Sequence, residues 1–582
     1  MQLRLRPADD QIVARLASSL RVRPATARCL VARGVHDPRD AQSFVDPRLA
    51  ALRPPAGLAG LPRAVTRIAD AIARGHRIGV FGDYDVDGVT TAALLTSFLR
   101  ASGGEVEVAV ARRDAGYGFT VGAAQDFAQR GCQLIITGDC GTSDLDAIGA
   151  ANALGIEVIV VDHHTVPGAD VEHPAYSLVN PFRADSTFPF RGMASVGLAF
   201  YVAAAVRTEL RDRGHYRSRP EPDVRDLLDL VALGTIADLV PLTHENRILT
   251  SLGLRRLQSR ARPGVAALLA AAGVSEDREL DAHVVAWKLA PRINAPGRLG
   301  AAGPSLELLL AGDDTATERA QVLESANMER REIQERVMTE ALAQIGARSM
   351  DTGGSAIVIA GEGWPSGVVG IVAAKLVDMF QRPAFVIGID PVTGVGRGSA
   401  RTCGGINLYQ ALNMAAEVPG CIGRYGGHAA AAGFTIARSQ FDALSEALGA
   451  SCAKLAEGSK PTPAGREIDA EVRLAEVDER LATELAGLGP FGQHNPAPVL
   501  VTRNARVTAV RRVGDLTRNG GHLKLTLEDN ASTLRSAIGF GLGDREVEVG
   551  NCVDLAFVPT ISTWQGHRSA ELQLADLAIT QG

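Results

Sequence analysis

Residues 77–88 read RIGVFGDYDVDG, a short apolar run that ends in three aspartates within five positions. The run has the composition of a β-strand, and an extended continuation would direct Asp83, Asp85 and Asp87 to one side. Carboxylates this close raise each other's pKa unless cations neutralise them. Sites rich in oxygen ligands suit hard divalent ions such as Mg²⁺ and Mn²⁺. The stretch therefore predicts a metal site at the end of a strand.

A solvated acidic loop and a calcium loop are two plainer explanations of these aspartates. An EF-hand loop that began at Asp83 would need a glutamate at its twelfth position, where the sequence has Leu94. It would also need a helix, rather than a strand, before the loop. We therefore exclude the EF-hand, and the solvated loop stays open for this stretch taken alone.

Three more apolar runs follow and supply further polar side chains. Residues 105–110, 134–137 and 157–161 read as strands with helix-compatible stretches between them, which predicts βαβ units and a mainly parallel sheet. Asp139 comes just after the second of these runs, and Asp162-His163-His164 follows the third directly. A single aspartate after a strand is commonly a turn residue or a helix N-cap. Several at the carboxyl edge of one parallel sheet are typical of a functional site.

A further carboxylate, Asp238, ends the apolar run at residues 230–237. We expect it at the same edge, which gives four acidic or histidine motifs at strand ends. Carboxylates and imidazoles that converge in this way describe a two-metal phosphoryl-transfer site, where paired ions activate water and stabilise the leaving oxygen.

The next part of the sequence predicts a long helix and a second α/β block. Residues 314–345 are charged and contain neither glycine nor proline, which favours one continuous helix. Strands near 356–360 and 384–389 flank a helical stretch, and glycine-rich turns are predicted at 394–398 and 423–427. This block is predicted to be a smaller α/β domain.

The last part of the chain is predicted to be all β. Residues 457–465 have the composition of a linker, and about five strands beyond it fit a small barrel of the OB type. We divide the chain into five segments, which are an N-terminal helical segment at 1–52, a parallel-sheet catalytic domain at 53–312, a connecting helix at 313–346, a smaller α/β domain at 347–456 and an OB-like barrel at 467–582.

Composition narrows the class of protein. The net charge is −6, so a nucleic-acid partner would have to be bound by local clusters of charge. The seven cysteines are scattered without a CxxC pair, which fits neither a disulfide framework nor a structural zinc site. We find no apolar run of about 18 residues and no apolar core of a secretion signal. A cytoplasmic protein with reduced thiols and no membrane partner is expected.

The ordered motifs resemble a known superfamily. GDYDVDG, TGDCG, VDHH and LGTIADLVPL, in this order and spacing, are similar to the four motifs of the DHH phosphoesterases, and YGGHAAAAG at 425–433 resembles the DHHA1 nucleic-acid-binding module. The resemblance extends over nearly the whole chain through PFRADSTFPF, ASVGLAF at 194–200, ENR at 245–247, LAPRINAPGRLG at 289–300, GRGSAR at 396–401 and LGPFGQHNPAP before the barrel. Within the superfamily the chain resembles the RecJ family of single-strand-specific 5′-to-3′ DNA exonucleases.

The resemblance implies roles for the motif residues. Two divalent ions, Mn²⁺ or Mg²⁺, would be held by Asp85, Asp87, Asp139, His163 and Asp238, with Asp139 bridging them. These five residues and His164, which would contact the scissile phosphate, make up the implied catalytic set. Asp83 and Asp162 would support it.

Arginines in glycine-containing stretches are candidates for DNA contacts. Arg292 and Arg298 flank Asn294 in one predicted loop, and Arg397 and Arg401 flank Ser399 in another, where arginine and backbone amides can form anion pockets. Taken singly, each arginine is better explained by a surface ion pair. A basic cluster in the barrel at residues 503–524 predicts salt-sensitive contacts with phosphate.

The resemblance assigns these candidates more closely. Ser399 and Arg401 would bind a 5′-phosphate, and Arg298 would lie near the strand at the metals. The other positions that would contact DNA are Arg112 and Tyr117 at the 5′-terminal nucleotide, Arg292, Gly427 and His428. The sequence departs from the family pattern at Pro365-Ser366, where a histidine is usual, at Lys375, where arginine is usual, and at His494, where glycine is usual.

The expected activity is exonucleolytic release of 5′-mononucleotides from single-stranded DNA in repair and recombination. The resemblance also implies a monomer that works with a single-strand-binding protein and a helicase. Two alternatives are a DHH phosphodiesterase that acts on short oligonucleotides or cyclic dinucleotides, and a non-catalytic DHH scaffold of a replication complex. The long helix and the barrel argue against the first, and the retained carboxylates argue against the second.

Overall fold

The computed structural model describes residues 3–113, 116, 118–166, 172–347, 355–457, 465–514, 521–564 and 567–580. The chain starts with a short strand and three helices, which are β1 (Leu3–Leu5), α1 (Asp10–Leu20), α2 (Pro24–Val31) and α3 (Pro38–Val45). Asp9 caps α1 by accepting from the backbone amides of Gln11 and Ile12. The predicted helical character of this segment is confirmed.

The first lobe is built on a five-stranded, entirely parallel sheet in the order β3-β2-β4-β5-β6. Its strands are β2 (Arg77–Gly82), β3 (Glu105–Val110), β4 (Leu134–Gly138), β5 (Glu157–Val161) and β6 (Ser177–Val179). The central strands are continuous apolar runs because helices cover both faces of the sheet. The parallel sheet predicted from the sequence is confirmed.

Eleven helices of the described ranges surround this sheet. They are α4 (Leu61–Ala73), α5 (Val86–Ala101), α6 (Val121–Gln129), α7 (Leu145–Ala153), α8 (Ser195–Asp212), α9 (Leu228–Ala237), α10 (His244–Gln258), α11 (Pro263–Ala271), α12 (Ala282–Val284), α13 (Ala290–Leu299) and α14 (Gly303–Leu309). Strand residues alternate between two cores: Ile78 and Val80 pack with α4 and α5, whereas Phe81 packs with Phe127 of α6 on the opposite face.

Two stretches predicted as strand or loop are helices. The run before Asp238 is α9, which is buried on all sides and packs tightly on α5, where a Cβ on Gly234 would lie 2.3 Å from Thr90 Oγ1. A short apolar run without periodicity fits a buried helix as well as a buried strand. Arg292 and Arg298 lie in α13 rather than in a loop, since Pro291 occupies the first turn, where proline favours a helix start.

One long helix joins the two lobes. α15 (Asp313–Ala347) has 35 residues and extends for roughly 50 Å. Ala320 and Leu323 in its first half belong to the core of the first lobe, whereas Val337 and Ala341 in its second half pack in the second lobe. The helix therefore fixes the separation of the two lobes.

The second lobe is a mixed sheet in the order β10-β11-β9-β8-β7, with only β7 and β8 parallel. Its elements are β7 (Ile357–Glu362), α16 (Ser366–Phe380), β8 (Ala384–Ile389), β9 (Val395–Arg401), α17 (Leu408–Ala416), β10 (Tyr425–Gly427), β11 (Ala431–Ala437) and α18 (Phe441–Glu457). The glycine-rich stretches predicted as turns are largely strands β9 and β10. Gly398 is needed because a Cβ there would lie 2.2 Å from the ring of Phe434.

A closed barrel ends the chain. The elements are β12 (Arg466–Ile468), β13 (Ala470–Glu471), α19 (Glu479–Ala486), β14 (Leu500–Val513), β15 (His522–Glu528), β16 (Leu534–Phe540), β17 (Cys552–Trp564) and β18 (His567–Thr580). The strand order is β14-β15-β16-β18-β17, and pairing of β14 with β17 closes the ring. The predicted five-stranded barrel is confirmed, while most of the predicted linker lies outside the described residues.

The N-terminal segment packs on the barrel. β1 pairs in parallel with β12, and Leu16 and Leu30 share a core with Leu481 and Leu485 of α19. The five segment boundaries remain our proposal, but the first segment has its apolar partner at the other end of the chain. None of the helices within the described ranges combines the length and apolar character that a bilayer crossing requires.

Candidate active site

Three strand ends of the parallel sheet bring the acidic motifs to one edge. Asp83 follows β2, Asp139 follows β4 and Asp162 follows β5, and these strands are neighbours. β2 ends in glycine because α5 crosses there: a Cβ on Gly82 would lie 2.3 Å from the carbonyl oxygen of Gly88. The glycines of the aspartate motif therefore allow the first turn of α5 to pack onto the strand end.

The aspartate motif turns into a helix after its second aspartate. Asp85 is the N-cap of α5, and its Oδ1 accepts from the backbone amide of Gly88 at 3.1 Å. The two carboxylate oxygens of Asp87 accept from the amides of Ser195 and Val196 at the start of α8, at 2.7 and 2.9 Å. The segment does not stay extended, so the alternation of a strand does not apply, and two helix N-termini hold these carboxylates at the edge instead.

Asp139 and His163 form the centre of the cluster. Asp139 is buried with a left-handed backbone (φ 61°), and its Oδ1 accepts from Ser195 Oγ at 3.1 Å. His163 Nδ1 lies 3.0 Å from the carbonyl oxygen of Met193, so this nitrogen carries the proton and donates it. His163 Nε2 is then left with its lone pair directed at Asp139 Oδ1, 3.4 Å away. His163 is thus oriented as a metal ligand would be.

Asp238 completes the cluster from the C-terminal end of α9. Its Oδ2 lies 3.6 Å from Nε2 of His163. This oxygen is buried and has no hydrogen-bond partner among the described residues, and the same holds for Oδ1 of Asp83. Buried polar atoms are normally satisfied, so these orphaned carboxylate oxygens fit a cation.

Ligand atoms gather in three overlapping groups of the size that a metal ion needs. Within each group the atoms lie within 4.8 Å of one another. The groups are Asp139 with His163 and His164, Asp87 with His163 and Asp238, and Asp83 with Asp85 and Asp139. The structure thus brings together all the residues implied as ligands, and it places Asp83, implied only as support, among them.

Burial and mutual repulsion raise pKa values across the cluster. The pKa of Asp83 rises to about 7, first because of burial and then because of the charge on Asp85. Burial and neighbouring carboxylates also raise the pKa of Asp87, Asp139 and Asp238. Without cations these groups would hold protons near neutral pH. Two divalent ions would remove the repulsion, so the residues present fit such a pair.

The two histidines have opposite charge states. His164 Nδ1 lies 2.7 Å from Asp162 Oδ1, and although burial opposes it, this partner raises the pKa of His164 to about 9. Burial and the neighbouring His164 charge lower the pKa of His163. Asp162 is buried, yet hydrogen bonds from His164 and Thr142 hold its pKa below the usual range. His164 is therefore a cation beside a neutral His163.

A cleft between the two lobes lies beside the aspartate motif. It is a cavity of about 200 Å³ whose lining includes Tyr84 and Arg113 of the first lobe and Ser366, Arg397 and Ser399 of the second. The Arg113 guanidinium lies 4.1 Å from the centre of the Tyr84 ring. Two cations, hydroxyls and an aromatic face are the groups that bind a nucleotide.

The strand β9 presents one row of polar side chains. Arg397, Ser399 and Arg401 alternate along it and share a face, which α16 partly covers. Arg401 is half-buried, its Nη1 donates to the Ala400 carbonyl oxygen at 2.8 Å, and burial lowers its pKa. Ser399 lines the cleft as the predicted phosphate site requires, but Arg397 rather than Arg401 lines it beside the serine.

The other arginines predicted to contact DNA have protein partners. Arg292 forms an ion pair with Glu324 of the long helix α15. Arg298 Nη1 donates to the Gly367 carbonyl oxygen of the second lobe at 2.9 Å, and burial and Arg113 lower its pKa to about 10. These two side chains hold the lobes and the helix together in the structure.

The remaining predicted DNA contacts are dispersed. Arg112 is exposed and forms a backbone bridge with Ala301, whereas Tyr117 lies outside the described residues. Gly427 ends β10, and the exposed His428 follows it, with its backbone amide donating to the Ala431 carbonyl oxygen. Arg112, Gly427 and His428 are therefore not among the described residues that line the cleft.

The basic residues of the barrel are only partly neutralised. Arg503 pairs with Asp554 at 2.7 Å and Lys524 Nζ lies 3.8 Å from Glu571 Oε1, whereas the exposed Arg511 of β14 lies directly opposite Lys524 of β15. Like charges opposite each other destabilise a sheet unless an anion lies between them. The ring of Phe540, 55% exposed, is on the same face and provides a stacking surface.

Sequence reasoning assigned no role to three residues of the site, which are Tyr84, Arg113 and Ser195. Tyr84 was within the aspartate motif but had no role assigned, whereas Arg397 was already placed beside Ser399 by the sequence. Arg113 carried no local signal. Ser195 lies in the ASVGLAF motif, but its contacts with Asp87 and Asp139 arise from tertiary packing and could not be assigned from the sequence.

Three family models match the chain. They are the DHH family N-terminal domain at residues 77–235, the DHHA1 domain at 353–454 and the RecJ OB domain at 468–576. Proteins named single-stranded-DNA-specific exonuclease RecJ are 35% identical in Salmonella typhimurium, over 99% of both chains, and 35% identical in Escherichia coli, over 98% of both. The Bacillus subtilis protein of that name is 33% identical over 99% of this chain and 70% of its own.

Solved structures give the same result. RecJ from Thermus thermophilus in complex with Mn²⁺ superposes with a TM-score of 0.81 at 29% identity, covering 100% of this chain and 80% of that one. The Mg²⁺ complex gives a TM-score of 0.77 at 28% identity, covering 100% and 78%. The chain belongs to the RecJ family, as the ordered motifs, the three matched domains and the similarity over the full length show.

Proposed function

We propose that this protein is a single-stranded-DNA-specific exonuclease that hydrolyses phosphodiesters from the 5′ end and releases 5′-mononucleotides. The observation that carries this proposal is the set of overlapping ligand groups at the sheet edge, centred on Asp139 and His163, beside a cationic cleft between the lobes. The relatives named as exonucleases and the structures with Mn²⁺ and Mg²⁺ support the same chemistry.

Five residues would hold the two metal ions. Asp85, Asp87, Asp139, His163 and Asp238 would be the ligands, with Asp139 shared because its oxygen is close to ligand atoms of two groups. When bound, a pair of Mn²⁺ or Mg²⁺ ions supplies an activated water and offsets negative charge on the reacting phosphate.

His164 is suited to hold the scissile phosphate. Its Nδ1 proton is fixed on Asp162, and its raised pKa keeps a second proton on Nε2 at neutral pH. A charged imidazole donates a strong hydrogen bond to a phosphate oxygen and can protonate a leaving oxygen. Asp162 would act by keeping this ring charged and oriented.

The cleft would determine the polarity of digestion. Ser399, Arg397 and Arg113 can bind a terminal phosphate, and Tyr84 offers a ring beside it. Arg401 lies on the same strand face and can complete this pocket once DNA is bound. A pocket about one nucleotide from the metals would restrict cleavage to the first phosphodiester. Arg112, Tyr117 and Arg298 stay candidates for contacts along the strand.

A nuclease assay on 5′-labelled substrates tests the proposal. We expect Mn²⁺-dependent release of labelled mononucleotide from single-stranded DNA and little release from blunt duplex. Efficient hydrolysis of dinucleotides but not of longer strands would instead support the short-oligonucleotide alternative. A metal-loaded protein that cleaves neither would support the scaffold.

We further infer that the enzyme acts in the cytoplasm, in DNA repair and recombination, as a monomer alongside a helicase and a single-strand-binding protein. All seven cysteines are unpaired thiols, which is in keeping with a reducing compartment. Mass measurement in solution and capture of single-strand-binding protein by the purified enzyme would test the oligomeric state and the partners.

A further inference from the structure

Asn246, in the first turn of α10, joins two backbone segments that are not adjacent in sequence. The side chain is completely buried, and its Nδ2 donates to the carbonyl oxygens of Gly192 at 2.7 Å and Pro241 at 2.9 Å. Both contacts are acceptors, so only the NH₂ end of the amide can face them. One side chain therefore fixes the distance between these two segments.

The segment that begins at Gly192 supports the metal cluster from one side. The Met193 carbonyl oxygen accepts the Nδ1 proton of His163. Two residues later, the Ser195 amide donates to Asp87 and its hydroxyl donates to Asp139. Four consecutive residues thus orient three of the proposed ligands.

The segment that ends at Pro241 carries the cluster from the other side. It begins at Asp238, which follows α9, and passes through Leu239, which is 66% exposed and has a left-handed backbone (φ 59°). Leu242 directly follows Pro241, and its amide donates a hydrogen bond to the Gln493 carbonyl oxygen at 2.8 Å. Asn246 is the side chain that connects this exposed turn to the segment behind His163.

The bonding pattern of Asn246 is poor for stability. Its Oδ1 is buried and has no hydrogen-bond partner within the described part of the chain. Burying an amide with an unsatisfied acceptor cancels much of what its two donated bonds contribute. A role in holding geometry explains an asparagine here better than a contribution to folding does.

We propose that Asn246 is a positioning residue for the metal centre, which sets the placement of Asp238 relative to His163. Asp238 Oδ2 and His163 Nε2 lie 3.6 Å apart, and both residues belong to one ligand group with Asp87. Loss of the Asn246 bonds frees the Asp238 turn from the Met193 segment, and the group no longer has the spacing that an ion needs. This inference rests on the proposed metal-dependent function.

Two variants of Asn246 and one control test the inference. Asn246→Leu removes both donated bonds, and Asn246→Asp keeps the volume but leaves at most one donor. Thr250→Val, one turn further along α10, is the matched control because Thr250 is buried and its hydroxyl has no partner among the described residues. Calorimetric titration of the full-length, metal-free proteins with MnCl₂ measures binding independently of DNA hydrolysis.

We expect both Asn246 variants to bind Mn²⁺ about tenfold more weakly, as is typical when the support of a ligand is removed. Their KM for DNA should stay unchanged, and saturating Mn²⁺ should restore most of kcat. Thr250→Val should match the wild type in each measurement.

Folded Asn246 variants with wild-type Mn²⁺ affinity would overturn the inference, and so would an equal loss in Thr250→Val. Failure of both Asn246 variants to fold would overturn it too, because Asn246 would then be a residue of the folding core. A wild type that binds no Mn²⁺ would instead refute the proposed function itself.

Discussion

The substitution Asp83→Asn should remove a pH-dependent instability from the metal-free enzyme. Burial and the charge on Asp85 raise the pKa of Asp83 from 3.8 to about 7 in the folded protein. Because the folded pKa is above the unfolded one, the free energy of unfolding is highest below about pH 4 and falls as the pH rises through about 7. Asparagine has the same shape, keeps an acceptor oxygen and carries no charge.

The magnitude follows from the size of the shift. A rise of about three pKa units costs about 4 kcal/mol once the pH is well above 7. Between pH 5 and pH 8 the carboxyl of the unfolded chain is ionised throughout, whereas that of the folded protein keeps its proton until about pH 7. The free energy of unfolding of the wild type therefore falls by about 3 kcal/mol over this range. Asp83→Asn should therefore gain about 3 kcal/mol on the wild type over this range.

Hydrogen exchange on peptides from β2 and α5 measures this difference locally in a protein of several domains. Wild type and variant are compared in EDTA at the same pH, so that intrinsic exchange rates cancel. At pH 8 the ratio of protection should exceed its value at pH 5 by roughly a hundredfold. Asp40→Asn, an exposed carboxylate of α3, serves as the control and should give a constant ratio.

Saturating Mn²⁺ should reduce the difference, because bound cations offset the repulsion that raises the Asp83 pKa. If Asp83→Asn and the wild type lose protection equally between pH 5 and pH 8, the carboxyl is ionised without cost. Burial and repulsion at the cluster would then be too weak to shift its pKa values.

Asp139→Ala should abolish cleavage in Mn²⁺ while DNA affinity, measured by fluorescence anisotropy, stays near that of the wild type, since the DNA contacts lie elsewhere; near-normal turnover would refute the ligand assignment. Arg397→Ala and Arg401→Ala should each lower the preference for 5′-phosphorylated over 5′-hydroxyl strands, with Arg397→Ala the larger effect because Arg397 lines the cleft and Arg401 does not. Unchanged preference in both would place the pocket elsewhere. A chain of residues 1–456 should aggregate in size-exclusion chromatography, because the apolar face of its first helices loses the barrel. A chain of residues 53–456 should stay monomeric and cleave DNA with a shallower salt dependence, and loss of cleavage in it would place part of the active site in the barrel.

The sheet and its acidic edge could be predicted because their signals are local. The strands β2, β4 and β5 are apolar runs that are each followed directly by an aspartate, and neither feature depends on distant residues. The run before Asp238 had the same appearance but lacked periodicity, and only its packing on α5 makes it a helix. The carboxylate still reaches the cluster, because a helix end delivers a side chain to a sheet edge as well as a strand end does.

The environment of the ligands could not be predicted, because it depends on contacts between distant segments. Ser195 and Met193 orient Asp87, Asp139 and His163, but their sequence context is an ordinary helix start. The pairing of the N-terminal segment with the barrel was equally hidden, since an amphipathic helix does not specify its partner. Composition could suggest arginines as DNA contacts. Whether such an arginine forms an ion pair instead, as Arg292 does with Glu324 of α15, depends on the element that packs beside it.

The LGPFGQHNPAP motif before the barrel is explained by contacts that join the barrel to the catalytic lobe rather than by DNA binding. The Leu488 carbonyl oxygen accepts from buried Arg247 of α10 at 2.9 Å, and the same guanidinium donates to the Phe44 carbonyl oxygen. The barrel, the N-terminal segment and the catalytic lobe therefore meet at one side chain, next to Asn246.

His494 belongs to the same contact between the barrel and the catalytic lobe. It has a left-handed backbone (φ 59°) in the loop where Gln493 binds Leu242. A glycine adopts that conformation freely, whereas another residue loses about 1 kcal/mol there. His494 therefore adds about 1 kcal/mol of backbone strain to the loop that joins the barrel to the catalytic lobe through Gln493 and Leu242.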